Sequence, residues 1–438
     1  MFDLLRIGSG AGFAGDRIDP AISLVENAQL DYLVLEGLAE RTIALSQKQK
    51  QKDANKGYNE YLEDRVRPLL PSLLKNKVTL ITNMGAANPI AAAKTILQMA
   101  RDLNLTCKVA AISGDDVLND LNFHHFETED GKNLMIFEPI VSANAYLGVE
   151  AILPALEANV DIIITGRVAD PSLFLAPLVH HFQWNQDDFD LMGQGTLIGH
   201  LLECAGQVTG GYFADPGLKE VNNLADLGFP FAIVAEDGKA IITKLPNSGG
   251  VVNTQTVKEQ LLYEVHDPSQ YYTPDCIANF STTQMEEIKP NEVLVWGATG
   301  KRKPDTLKVS IGYHAGYLGE GMISYAGSTA VNRAKLAEWV INERLRANVP
   351  QLRTDLIGLT ALHHTTYTHT TPYEVTVRAA ALCKEEQTAK MIGHEVEALY
   401  TNGPAGGGGA RKNTEEVIGI VSTFINRSAI TIHTEIME

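Results

Sequence analysis

Acidic and amide side chains recur in this chain where an apolar run ends. Glu36 closes the run from Leu30, Asn83 and Asn88 follow Val78 to Thr82, and Asp115 follows Lys108 to Ile112. Arg167 and Asp170 follow Asp161 to Thr165, and Ser9, Gly10 and Gly12 follow Leu4 to Ile7. A carboxylate beside an acidic C–H or a leaving hydroxyl is a general acid or base, which puts Glu36 and Asp115 forward as acid–base candidates. Amides donate hydrogen bonds to a developing enolate oxygen, the role that Asn83 and Asn88 suit. Arg167 can hold a carboxylate or phosphate through two parallel N–H groups. The plain alternative is an Arg167–Asp170 pair that stiffens a loop. Asp115 and Asp116 are also hard oxygen ligands compatible with Mg²⁺, or simply caps of a following turn.

The stretch Tyr400 to Lys412 contains Gly406, Gly407, Gly408 and Gly409, followed by Arg411 and Lys412. Four glycines build no core but let backbone approach another surface closely. With a helix expected to start at Asn413 or Thr414, the stretch suits an anion at a helix N-terminus; the alternative is a surface linker. Gly10, Gly12 and Gly15 match GxGxxG after a strand, with Glu36 about twenty residues on, the dinucleotide spacing. Against an NAD(P) site, Asp16 would place a carboxylate where the pyrophosphate should lie.

The histidines are less informative. His124–His125 and His363–His364 are adjacent pairs, with His369 nearby. Neighbours on a strand face opposite ways and do not converge on one metal, so no metal site is expected. His200 and Cys204 are spaced i, i+4 on an expected helix, as either a nucleophile–base pair or core packing.

The elements that position these residues follow from periodicity. Five short, almost continuously apolar runs alternate with helical patterns over residues 1–217, so the expected class is α/β: a mostly parallel sheet with helices on both faces. Ligands of such folds lie outside the carboxyl ends of the strands, where the residues above gather. Arg41 to Lys77 reads as helical with a break near Gly57, and Asn144 to Ala158 as one helix. Residues 218–438 change to short strands and turns with strong helices at Val331 to Arg346 and Glu385 to Leu399. They are expected to form a mixed α+β domain carrying the glycine-rich loop 402–412.

The chain has 438 residues, 45% hydrophobic and 20% charged, which is ample for a core. Its net charge of −17 argues against nucleic acid or an anionic membrane as partner. Four scattered cysteines without CxxC fit a reducing compartment. No run has the length of a membrane span, and the first residues lack the pattern of a secretory signal, so the expected compartment is the cytoplasm. A homo-oligomer is the expectation for an acidic chain of this size.

Several stretches together resemble the acyclic terpene utilisation (AtuA-type) family. They are Ile7 to Arg17, Glu36 to Thr42, Thr82 to Pro89, Gly114 to Asp116, Gly166 to Pro171 and Thr209 to Pro216. Gln260 to Pro268, Asp305 to Val309 and Tyr400 to Lys412 complete the set, in order along nearly the whole chain. The resemblance implies a role in breaking down citronellol- and geraniol-like terpenes and related branched acids through CoA thioesters. It implies a branched acyl-CoA or carboxylic acid as small-molecule partner and assigns no catalytic residues. Some relatives carry an added domain resembling a ferredoxin fold, and a small partner subunit of that kind is the matching expectation here.

Taken together, the expected function is a catabolic enzyme on such intermediates, at a hydratase or lyase step. Glu36 or Asp115 would be the base, Asn83 and Asn88 the donors, and Arg167 and Arg411 the anion clamps. Two other classes stay open: a non-catalytic acyl-CoA-binding or carboxylase-associated subunit, and an NAD(P)-dependent oxidoreductase.

Overall fold

The computed structural model describes residues 4–119, 126–363 and 371–438. β1 (Leu4–Ala11) is followed by α1 (Asp19–Asn27), β2 (Tyr32–Leu35), α2 (Glu40–Lys52), α3 (Leu62–Asn76), β3 (Thr79–Thr82), α4 (Pro89–Asp102) and β4 (Val109–Ser113). Next come β5 (Ile140–Ala145), α5 (Val149–Glu157), β6 (Ile162–Thr165), α6 (Asp170–Phe182) and α7 (Phe189–Glu203). β7 (Pro230–Ala235), β8 (Ala240–Lys244) and α8 (Thr254–Leu262) precede the short strands β9 (Tyr271–Tyr272), β10 (Ile277–Asn279), β11 (Gln284–Lys289), β12 (Glu292–Trp296) and β13 (Thr299–Lys301). The chain closes with β14 (Thr306–Ala326), α9 (Ala330–Leu345), β15 (Arg353–Ile357), β16 (Glu374–Cys383), α10 (Glu386–Asn402), β17 (Gly408–Asn426) and β18 (His433–Met437).

Two compact units separate. The first falls within Met1–Ile136, Ile140–Gly312 and Ile420–Glu438; the second within Phe137–Pro139 and Tyr313–Gly419. The division therefore runs at 312/313 and 419/420, not at the expected 217/218. The physical reason is sheet extension: β7, β8, β12 and β11 add to the edge of β1, and β18 adds to β4.

The first unit is an open ten-stranded sheet in the order β11-β12-β8-β7-β1-β2-β3-β6-β4-β18. Its centre, β1-β2-β3-β6-β4, is parallel throughout, and the flanking strands are antiparallel. The parallel centre is the part that periodicity identified, because strands buried on both faces read as unbroken apolar runs such as Ile162–Thr165. Leu33, Leu35, Leu80, Ile162 and Ile164 pack with α1, α3 and α4 in one core. The alternate residues Val34, Ile81, Ala110 and Ile163 are buried too, on the face covered by α5, α6 and α7.

Helix starts carry their signals. Asn88 caps α4 by accepting from Ala91 N at 3.3 Å, with Pro89 beside it. Asn253 and Thr256 form a capping box on α8. The expected helix from Asn144 begins only at Val149, after Gly148, because Ile140–Ala145 runs as strand β5.

The second unit packs α9 and α10 on β16, with Ile323, Val377, Ile341 and Val396 in its core. The helix expected at Asn413 or Thr414 does not form. Gly408–Asn426 is strand β17, since Val417, Ile418, Ile420, Val421 and Thr423 favour extended backbone. Among the described residues, no helix is long and apolar enough to cross a membrane.

Close approach of β1 to the end of α7 requires Gly12. A Cβ there would stand 2.6 Å from the Cys204 carbonyl carbon and 2.8 Å from its Cα. Gly408 has nothing within 4 Å of that position. Gly12→Ala should therefore cost about 1–3 kcal/mol of stability, while Gly408→Ala should be close to neutral. Urea unfolding midpoints of the two variants check this; equal midpoints would refute the packing argument.

Candidate functional site

The carboxyl ends of the parallel strands open onto a cavity of about 1730 Å³ lined by residues of the first unit. Leu38, Leu224, Leu227, Phe229, Phe13 and Phe424 give it apolar walls, and Glu36, Glu40, Arg167, Asp170, Glu203 and Lys308 give it charge. That volume exceeds the roughly 300–1,000 Å³ of ordinary small-molecule sites.

Arg167 sits at its base, 1% exposed. Nε and Nη2 donate to the Val168 carbonyl at 3.1 and 2.8 Å. Nη1 donates to the Leu38 carbonyl and Nη2 to Asp170 Oδ1. One face of the guanidinium lies 4.4 Å from the Tyr146 ring centroid. Its backbone N–H donates to Asp115 Oδ2 at 2.9 Å. So Arg167 spends its donors on the loops after β2 and β6 and acts chiefly as an internal tie, the plainer of its two expected roles.

Glu36 lies directly beside this tie. Its Oε1 accepts from Leu38 N at 2.7 Å and from Asn83 Nδ2 at 3.1 Å. Asn83 also reaches Asp170 Oδ1 at 3.5 Å, and its Oδ1 accepts from Gly37 N at 2.8 Å. Burial and the neighbouring Asp170 push the Glu36 carboxyl up to about 8, against the opposing pull of Leu38 N–H, Arg167 and Asn83. Burial likewise raises Asp170, with Arg167 opposing. Two carboxyls thus face one guanidinium, and Glu36 keeps its proton near neutral pH.

Further along the wall, Tyr146 Oη donates to Glu40 at 2.7 Å and Lys308 Nζ lies 3.2 Å from the same carboxylate. Burial works to raise Glu40, yet Tyr146 and Lys308 leave it below its ordinary value. Glu203 pairs with His200 across 2.8 Å. The expected pairing of His200 with Cys204 does not occur, and burial beside Glu203 pushes the Cys204 thiol well up, away from thiolate character.

The structure thus gathers Gly12, Glu36, Asn83, Arg167 and Asp170 at one place. It sets the other expected site residues elsewhere. Asp115 is buried behind Arg167, held by Asn144 Nδ2 at 2.8 Å and lifted by burial to about 6. Asp116 accepts from Gln47 and Leu118 N. Asn88 caps α4 and ties Ala54 and Lys56 carbonyls at 2.8 Å each, so it is a structural amide. Ser9 is buried within β1, and Gly10 packs against Leu35 and Ala21. Gly12 N–H, the donor a pyrophosphate would need, is taken by Asp16 Oδ2 at 3.0 Å.

Gly406, Gly407, Gly408, Gly409 and Arg411 belong to the second unit. Ala405 and Gly406 form a turn braced by Arg333, whose Nη1 donates to the Ala405 carbonyl at 2.7 Å; Gly407 follows, and Gly408 opens β17. Lys412 pairs with Glu397. The helix N-terminus that would have held an anion there is absent. His124, His125, His364 and His369 lie outside the described residues. Among the described residues, no three His, Cys, Asp or Glu side chains are grouped to hold a metal ion.

Glu40, at the start of α2, and Lys308, in β14, lie in stretches that carry the family resemblance but had no chemical signal of their own, and Tyr146 and Tyr271 had none because neither directly follows one of the five apolar runs. Glu264, which also lines the cavity, lies in the stretch Gln260 to Pro268 and had the same signal from the family resemblance.

A family model described as acyclic terpene utilisation family protein AtuA matches residues 5–436. No curated protein and no solved structure gives a significant match.

The raised Glu36 carboxyl has a consequence for stability. Its ordinary value is 4.5 and its folded value about 8, so the folded state binds the proton more tightly than the unfolded state. Stability must then fall as pH rises through that window and level off above it. Glu36→Gln keeps an acceptor for Leu38 N–H and Asn83 and cannot ionise. It should flatten the fall, gaining up to a few kcal/mol relative to wild type at alkaline pH. Unfolding midpoints at about pH 5 and about pH 9 test this; parallel slopes in the two proteins would contradict it.

Proposed function

The chain belongs to the acyclic terpene utilisation family, and from that premise we propose that it catalyses a hydration or dehydration step on a branched acyl thioester or branched carboxylic acid. The observation that carries the reading is Glu36: a carboxyl bordering a largely apolar cavity and holding its proton up to about pH 8. Elimination of water needs an acid that protonates the leaving hydroxyl, and an acid poised near working pH is the efficient one. Leu38 N–H and Asn83 fix Oε1, which leaves Oε2 as the oxygen to carry the transferable proton. Asn83 serves this reading as the group that orients Glu36, and Arg167 as the charge that offsets Asp170.

The apolar walls suit the branched hydrocarbon part of the substrate. The amide and guanidinium donors are committed within the protein, so a neutral thioester or a protonated acid fits the cavity better than a free polyanion.

Glu36→Gln should lower kcat by about a hundredfold or more with KM little changed. The wild-type rate of dehydration should fall as pH rises above about 8, where Glu36 loses its proton. The assay follows release of the α,β-unsaturated product from branched 3-hydroxyacyl thioesters. Full turnover by Glu36→Gln would remove the assignment.

A further inference from the structure

The cavity holds a second buried carboxyl. Glu203, the last residue of α7, has its Oε1 2.8 Å from His200 Nδ1. His200 is 1% exposed, and its Nε2 lies 3.2 Å from the Leu261 carbonyl oxygen. A carbonyl only accepts, so Nε2 donates its hydrogen to Leu261, and Nδ1 is the nitrogen that faces the carboxyl and, when it carries a hydrogen, donates it to Oε1. Phe280 stacks on the imidazole with centroids 5.5 Å apart and planes 18° apart, and Tyr271 lies at 5.2 Å. Gln260 Nε2 donates to the His200 carbonyl at 2.9 Å. The ring is thus held in one orientation.

The carboxyl it meets is half committed. Glu203 Oε2 is buried and has no hydrogen-bond partner among the described residues, so it is the oxygen left to accept a proton from a bound molecule.

Resting on the hydro-lyase reading above, we propose that Glu203, positioned by His200, is the base that takes the α-proton of the substrate while Glu36 protonates the leaving hydroxyl. The α C–H bond breaks, its proton goes to Glu203, and its electron pair becomes the new C=C bond. The C–O bond breaks, its electron pair stays on oxygen, and that oxygen takes the Glu36 proton and departs as water. One proton has then passed from Glu36 to Glu203, and exchange with solvent restores both. No oxidant or reductant enters.

The surroundings tune Glu203 for this work. Burial lifts its carboxyl to about 7; Asp170 at the start of α6 and Glu264 after α8 add to the rise, and His200 opposes it. Cys204 and Tyr271 are further titratable groups beside it, and burial keeps both protonated well above neutrality. Without His200 the carboxylate form would retreat to higher pH.

The test uses the full chain in deuterated water with the N-acetylcysteamine thioester of 3-hydroxy-3-methylbutanoic acid, following α-deuteration and loss of water by NMR. Wild type should do both. Glu203→Gln should lose at least about a hundredfold in each, and Glu203→Asp, which keeps a carboxyl, should recover part. His200→Phe keeps the ring stack and removes Nδ1; it should move the low-pH limb of the rate profile upward by about one unit or more. A wild-type rate in Glu203→Gln would overturn this inference and leave Glu36 as the acid. An unmoved limb in His200→Phe would overturn the positioning by His200. A wild-type protein inert toward the thioester would overturn the hydro-lyase reading and this inference with it.

Discussion

A guanidinium taken out of water must be hydrogen-bonded and neutralised, or the unit around it will not hold. Arg167 is that group here. Its donors reach the Leu38 and Val168 carbonyls and Asp170, its backbone N–H reaches Asp115, and its face meets Tyr146. The loops after β2, β4 and β6 and the residue that follows β5 are thereby drawn to one point. The position of Glu36, two residues before Leu38, follows from the same tie.

The charge balance at that point then determines chemistry. One guanidinium does not fully offset both Glu36 and Asp170, and Glu36 is the more buried of the two carboxyls. Asp170 contacts Arg167 directly, while Glu36 accepts from an amide and a backbone N–H. The carboxyl with the weaker partners keeps the proton, which is the physical origin of its value of about 8. The neighbouring group of Glu40, Tyr146 and Lys308 resolves the same conflict the other way: a cation and a phenol serve one carboxylate, and it stays ionised. A single cavity thus contains a carboxyl that holds a proton and one that does not. Family membership sets the setting, acyclic terpene utilisation, and this contrast is what points to acid–base work within it.

The glycine run carries a different lesson. Glycine permits many backbone paths and prescribes none. In Gly406–Gly409 it builds a turn into β17, braced by Arg333 from α9. The two cations that made the stretch look like an anion site follow on an extended strand, with Lys412 already paired to Glu397.

The parallel centre of the sheet was legible in the sequence, because strands buried on both faces must be apolar at every position. So were the strand-end residues Glu36, Asn83, Arg167 and Asp170, since a polar side chain directly after such a run has only the rim of the sheet to occupy. The family was legible as well, from stretches spread along the chain. Tertiary structure alone decided which rim residues share a site. Asn88 and Asp115 have the same local signature as Glu36, but one caps a helix and the other supports a loop from behind. His200 was read at i, i+4 with Cys204, yet its ring meets Glu203 instead, and the nitrogen that faces Glu203 depends on the Leu261 carbonyl, 61 residues away. Hydrogen-bond partners and burial set the proton affinity of a carboxyl, and both come from segments distant in the chain, so neither is written in its neighbourhood.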